Sequence, residues 1–208
     1  MYNVKEIFFS IQGEGAYCGR TAVFCRFSGC NLWNGRESDR STSICDFCDT
    51  DFVGVNEDGG KFASAEELAE AIHAAWPEEQ PDPNVICTGG EPLLQLDEPL
   101  VAAIKAKGFH LAIETNGTLL PPQGIDWICV SPKIGAELRL VRGNELKLVY
   151  PQANCNPADF ETLDFERFFL QPKDGSRQKE NIAAAHDYCE RNPKWELSIQ
   201  IQKLAGIR

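Results

Sequence analysis

Asn84-Val-Ile-Cys-Thr-Gly-Gly-Glu-Pro-Leu-Leu-Gln-Leu-Asp-Glu-Pro-Leu-Val-Ala-Ala-Ile-Lys-Ala-Lys-Gly-Phe-His-Leu-Ala-Ile-Glu114 decides the fold class. Asn84 to Thr88 is short and apolar, as a buried strand is. Gly89-Gly90-Glu91-Pro92 follows at once and marks a turn; by itself a double glycine with proline fits any tight exit from strand to helix. Asp97 is placed to cap a helix carrying Leu100, Val101 and Ile104, which Gly108 stops. Phe109 to Glu114 is the next strand. A strand, helix, strand succession implies parallel strands joined by a right-handed crossover.

The same alternation extends in both directions. Upstream, Val4 to Ile11 is β-rich and runs into the turn Gln12-Gly-Glu-Gly15, while Ala22 to Phe27 reads as a buried strand. Ser64-Ala-Glu-Glu67 matches a capping box before a helix with Leu68, Ile72, Ala75 and Trp76 on one face, ended near Pro77. Downstream, Trp127 to Val130, Glu145 to Val149, Phe168 to Leu170 and Glu196 to Ile201 read as strands. Residues 178 to 191 form a helix before Pro193, with Ile182, Ala185 and Cys189 on one face. The expected architecture is α/β: about six mostly parallel strands and three main helices in a partial barrel, as one domain over residues 1–208. Polar clusters after Phe27, Thr88, Glu114, Val130 and Leu170 fall at C-terminal strand ends, where such sheets gather their chemistry.

Composition narrows the classes. The 208 residues are 43% hydrophobic and 25% charged, ordinary for a globular chain with a full core. A formal charge of −11 and a pI near 4.8 argue against a broad phosphate-binding face, so nucleic acid is not an expected partner. Met1 to Ser10 lacks a basic segment leading into a long apolar run, and no later stretch reaches membrane-span length; the expected location is cytoplasmic, away from membranes. Nine cysteines in no disulfide-scaffold spacing suit a reducing compartment. Cys25, Cys87 and Cys129 lie in apolar runs and read as small core residues.

Cys30, Cys45 and Cys48 form a different pattern. Cys45-x-x-Cys48 puts two thiols on one turn, and Cys30 closes a triangle if residues 31 to 44 form a loop. Two readings stand: a four-iron cluster on three thiolates with one iron open, or zinc completed by His73, His110 or another cysteine. Arg26 is the single charge in Ala22 to Phe27. It either pairs with a buried carboxylate or reads a substrate carboxylate with its planar fork.

Taken together, these motifs resemble the radical S-adenosylmethionine enzymes: three cysteines after one barrel strand and Gly-Gly-Glu-Pro after the next. The usual spacing there is Cys-x3-Cys-x2-Cys, whereas fourteen residues separate Cys30 from Cys45 here. That expanded loop resembles the 7-carboxy-7-deazaguanine synthase family. The likeness extends over Gln12 to Gly15, Arg26 to Trp33, Cys48 to Phe52, Cys87 to Pro92, Glu114 to Gly117 and Val130 to Lys133, most of the chain.

The resemblance implies that Cys30, Cys45 and Cys48 hold a [4Fe-4S] cluster whose open iron is chelated by S-adenosylmethionine (SAM). Phe47, Cys48, Asp49, Gly90, Ser131, Pro132, Lys133, Gln171, Pro172, Lys173 and Asp174 become SAM contacts by similarity. The implied substrate is 6-carboxy-5,6,7,8-tetrahydropterin, held by Ile11, Gln12, Gly13, Arg26, Thr88 and the terminal carboxylate of Arg208, with Mg2+ placed by Thr50. Flavodoxin or ferredoxin as electron donor and a homodimer complete the expectation. Two other classes remain beside it: an activase that installs a glycyl radical, and a non-catalytic zinc module. For the insertion 31–44, Leu32 and Trp33 packing over the cluster stands beside Arg36 and Arg40 serving a partner surface.

Overall fold

A computed structural model describes residues 1–207, so Arg208 lies outside the described residues. In chain order come β1 (Tyr2–Ile11), β2 (Thr21–Phe27), β3 (Gly60–Phe62), α1 (Ala65–Ala74), β4 (Asn84–Gly89), α2 (Glu98–Ala106) and β5 (His110–Thr115). Then follow β6 (Trp127–Val130), β7 (Arg142–Tyr150), β8 (Asp164–Pro172), α3 (Gln178–Arg191), β9 (Trp195–Leu197) and α4 (Ile201–Ala205). One open sheet runs β3-β1-β2-β4-β5-β6-β7-β8-β9. From β2 to β9 every pairing is parallel, and β1 pairs antiparallel with both β2 and β3.

The three main helices form where apolar periodicity places them, and side-chain caps start α1 and α2. Ser64 Oγ accepts the Glu67 N–H at 3.2 Å, while the Glu67 carboxylate accepts the Ala63 N–H at 2.7 Å, closing the first turn of α1. Asp97 Oδ1 accepts the Leu100 N–H at 3.1 Å at the start of α2, and Gly108, at φ +82°, takes the left-handed position after its end.

Strand periodicity does the rest. Val23, Cys25 and Phe27, Val85 and Cys87, and Leu111 and Ile113 point to the outer face, under Leu68, Ile72, Leu100 and Ile104 of α1 and α2. Leu146, Leu148, Phe168 and Leu170 continue that face with Ala185 of α3 and Trp195. Residues one step away point inward. Phe8, Phe24, Ile86, Ala112 and Tyr17 plug the N-terminal end of the inner face. Beyond them the inner row turns polar: Arg26, Thr88, Glu114, Lys147 and Gln171. The register sets Arg26 directly beside Thr88.

Several elements differ from the sequence expectation. The sheet has nine strands rather than about six: the eight stretches read as strands all take places in it, and Gly60–Phe62 adds an edge strand too short to carry a period, while polar Arg142 and Gly143 lengthen β7 by pairing with β8. Glu196 to Ile201 is not one strand. Its pairing with β8 stops at Leu197, and Ile201 starts α4. Among the described residues no helix is long and apolar enough to cross a membrane.

Candidate active site

The polar inner row opens into a cavity of about 440 Å³ at the C-terminal strand ends. Cys30, Cys45 and Cys48 line one end of it. Cys30 follows β2 through Ser28-Gly29, and Gly29 ties this loop to its neighbours: its N–H meets Phe52 O at 3.2 Å and its carbonyl accepts the Glu91 N–H at 2.9 Å. Cys45 is buried with Leu32, Trp33 and Phe52 in a small apolar cluster of their own, with Cys30 and Cys48 packed against it. Leu32 and Trp33 therefore do pack beside the thiols.

Cys45 and Cys48 are hydrogen-bonded to each other. The bond from Cys45 pulls the Cys48 thiol down, and the same bond together with burial pushes Cys45 up. Burial also raises Cys30, partly offset by the Leu32 and Trp33 backbone donors. Four-coordinate zinc would hold its sulfurs about 3.8 Å apart, given Zn–S bonds of about 2.3 Å. Among the described residues, the thiol, imidazole and carboxylate ligands gathered within 4.8 Å of one another are exposed His186, Asp187 and Glu190, not these three cysteines. Nor does a fourth ligand arrive. His73 is exposed on α1 with its ring against Phe109, and His110 starts β5, at the opposite end of that strand, where its Nε2 lies 2.9 Å from the Tyr17 hydroxyl. Cys25 and Cys87 lie in the core, and buried Cys129 sits beside Glu145. Three thiols with none of these residues as a fourth ligand fit a three-thiolate cluster with an open position better than closed, four-coordinate zinc.

The glycine turn completes that end. A side chain at Gly90 would meet Gly29 O at 2.0 Å and Cys30 Cβ at 2.9 Å, so only glycine lets this turn pack against the Cys30 loop. Glu91 is fully buried beneath it and accepts from Leu93 N at 3.0 Å, Thr115 Oγ1 at 2.8 Å and Asn116 N at 2.8 Å. Burial raises its carboxyl, and these three donors oppose the rise. Gly89 to Pro92 and Glu114 to Gly117 are therefore one unit.

Most sequence-predicted residues meet in this cavity. Phe47, Asp49, Thr50, Gly90, Ser131, Lys133, Gln171, Pro172 and Asp174 line it together with Ile11, Gln12, Gly13, Arg26 and Thr88. Lys133 donates to Ser131 O at 2.6 Å and Oγ at 2.7 Å; burial lowers its ammonium against the attraction of Cys45, Cys48 and Glu91. Two residues stand apart. Pro132 is buried and lines a small neighbouring cavity of about 90 Å³, which Lys133 and Asn116 also line. Lys173 is not in the wall; its ammonium lies 5.3 Å from the Phe47 ring centre, and its carbonyl accepts from Asn181 Nδ2 at 2.7 Å.

The polar strand-end residues stand on an ion network that the sequence reading missed. Lys147 is buried on β7, and its Nζ lies 2.6 Å from Glu14 Oε2 and 3.1 Å from Glu114 Oε1. Glu114 also accepts from Gln12 Nε2 at 2.9 Å and Thr88 Oγ1 at 3.1 Å. Burial pushes the Glu14 carboxyl up, but Lys147, Gln200 and Gln202 outweigh it and hold it at about 2. Arg26 has the carboxylate partner its position called for: Nε meets Glu6 Oε1 at 2.8 Å. The C-terminal segment straps across the mouth. Gln200 and Gln202 donate to Glu14 Oε1 at 2.9 and 2.8 Å, and Lys203 bridges Asp49 at 2.5 Å and Asp174 at 2.6 Å. Lys147 was findable, since it interrupts Glu145 to Val149 as Arg26 interrupts its own strand.

Likeness to known proteins agrees with this geometry. The model of the radical SAM superfamily matches residues 38–144. A protein of Bradyrhizobium diazoefficiens named 7-carboxy-7-deazaguanine synthase is 59% identical over 208 residues, covering 100% of this chain and 99% of that protein. One of the same name from Caulobacter vibrioides is 56% identical over 207 residues, with 99% of each chain covered. Among solved structures, QueE from Escherichia coli superposes with a TM-score of 0.72 at 28% identity, over 96% of this chain and 93% of that one.

Proposed function

The chain belongs to the 7-carboxy-7-deazaguanine synthases of the radical SAM superfamily, and on that footing we propose that it contracts the ring of 6-carboxy-5,6,7,8-tetrahydropterin to 7-carboxy-7-deazaguanine with loss of ammonia, for 7-deazapurine biosynthesis of the queuosine type. When bound, the [4Fe-4S] cluster and SAM would supply the electron and the radical chemistry that removes a substrate hydrogen. The residues of this chain bind and aim. One observation carries the proposal: a single cavity has three thiols at one end and a row of hydrogen-bonding groups on rigid strands at the other.

Cys30, Cys45 and Cys48 would hold the cluster, and Gly90 backbone with Ser131, Lys133, Gln171 and Asp174 would surround SAM. Arg26, oriented through Nε by Glu6, offers its fork to the pterin carboxylate. Gln12, Gly13 and Thr88 face the ring edge, with Glu114 and Lys147 fixing Gln12 and Thr88 in place. Thr50, half-buried with Oγ1 3.5 Å from Asp49 Oδ1, is the proposed Mg2+ ligand, since Mg2+ keeps waters and completes its octahedron with substrate oxygens. Selection of the hydrogen to be removed is a matter of position in this row.

A low-potential flavodoxin or ferredoxin as donor and a homodimeric state belong to the proposal through the family resemblance. Nine free thiols support work in a reducing compartment such as the cytoplasm. Anaerobically reconstituted protein is expected to hold iron and sulfide and to convert the carboxytetrahydropterin when given SAM, Mg2+ and a strong reductant, read by product mass. Colourless protein that binds zinc and leaves the pterin unchanged would refute it.

A further inference from the structure

The fourteen residues between Cys30 and Cys45 are folded, and one side chain joins them to the thiol turn. Glu37–Thr42 forms a 3₁₀ turn with Arg40 near its end. Arg40 Nε and Nη2 meet the two Glu37 carboxylate oxygens at 2.7 and 2.6 Å. The guanidinium carbon lies 4.0 Å from the centre of the Trp33 ring. Its Nη1 donates to the carbonyl oxygens of Asp46 at 3.2 Å and Cys48 at 3.0 Å. Trp33 is itself fixed: it is buried, stands edge-on to Phe52 at 5.5 Å, and donates Nε1 to Arg36 O at 3.2 Å. Arg40 thus reaches the main chain of the cysteine turn.

A short spacer between metal ligands limits their relative position through the chain itself. A fourteen-residue spacer leaves that freedom to be removed by contacts. Of the side chains in the insertion, Arg40 supplies two bonds to the main chain of the Cys45 to Cys48 turn, and its pairing with Glu37 and stacking on Trp33 fix the direction of those bonds. We propose that Arg40 is a positioning residue that clamps the Cys45-x-x-Cys48 turn against Cys30, so that the insertion restores the ligand geometry its length would otherwise relax. The paired Glu37 carboxylate balances the guanidinium charge, so the effect is one of placement.

This inference rests on the cluster reading of Cys30, Cys45 and Cys48. The experiment compares wild type, Arg40→Ala, Arg40→Lys and Glu37→Gln after anaerobic reconstitution. It measures iron and sulfide per chain, the rate of cluster loss to a chelator, and the electron paramagnetic resonance of the reduced cluster with and without SAM. Arg40→Ala is expected to lose its cluster about tenfold faster and to show an altered signal on SAM addition, with the melting temperature of the cluster-free protein unchanged. Arg40→Lys keeps a charge that can reach one carbonyl, and is expected to fall between the two; Glu37→Gln should loosen the clamp by roughly threefold. If Arg40→Ala fails to fold, the lysine and glutamine variants decide. Chelation rates and signals equal to wild type in the folded variants would overturn the clamp alone, whereas a wild-type chain that takes up no iron and sulfide would overturn the site reading and the clamp with it.

Discussion

At one end of the cavity, Cys30, Cys45 and Cys48 stand on loops whose shape depends on a glycine turn, a buried Glu91 and the Trp33 platform. At the other end, Thr88, Glu114 and Lys147 on β4, β5 and β7 are joined through the Glu114 carboxylate, and Arg26 on β2 stands beside Thr88 with Glu6 as its own partner. The first end can adapt to a group that must be inserted after folding. The second is set by the sheet and forms with it. Cofactor loading and substrate placement should therefore fail separately, and each of the following substitutions tests that separation.

The largest effect belongs to the thiols. Cys30→Ala, Cys45→Ala or Cys48→Ala should each abolish turnover and lower iron content while leaving the melting temperature of the cluster-free protein nearly unchanged; full activity in Cys45→Ala would refute the ligand assignment. Lys147→Met should do the reverse. Removing one partner from a buried ion network typically costs about 3 to 5 kcal/mol, because Glu14 and Glu114 would be left without their cation. Denaturant unfolding should show that loss, and turnover should fall, while the folded fraction still takes up iron and sulfide.

The same network sets the acid response. Glu14 is held at about 2 against an ordinary 4.5. An acid whose folded pKa is depressed contributes stability that is fully present above its ordinary pKa and lost as pH falls toward the folded one. Thermal midpoints should thus decline as pH drops from about 4.5 toward 2, and the decline should be shallower in Lys147→Met, where Glu14 loses its cation. Smaller effects should follow at the junction. Gly90→Ala would force Cβ onto Gly29 O, costing about 1 to 3 kcal/mol and weakening SAM binding measured by calorimetry. Thr50→Ala should mainly flatten the Mg2+ dependence of the rate. Cys155→Ala, at a partly buried site against the apolar cluster under α3, should leave cluster and rate nearly intact.

What the sequence made legible divides along the same line. Residues 84 to 114, α1 and α3 were readable because caps and periods are local signals. The thiols were readable because their spacing is local too. The strand end was readable only in part. Arg26 drew notice as a lone charge, but its partner Glu6 lies twenty residues away, and Lys147 meets Glu14 across a separation of 133 residues that no local pattern encodes. Glu196 to Ile201 alternates as a strand should, yet Ser198 donates to Gln171 at 3.3 Å and Gln200 reaches Glu14, so side-chain bonds into the cavity replace the ladder. The antiparallel sense of β1 was also hidden, since a period of two is the same in either direction.

The account stands or falls on the joint work of the two ends. Its most direct measurement is anaerobic turnover of the carboxytetrahydropterin with SAM supplied well below the substrate, counting product by mass and ammonia released. The account predicts 7-carboxy-7-deazaguanine in clear excess over the SAM added, with one ammonia for each product. Consumption of SAM to 5'-deoxyadenosine while the pterin mass stays unchanged would contradict it.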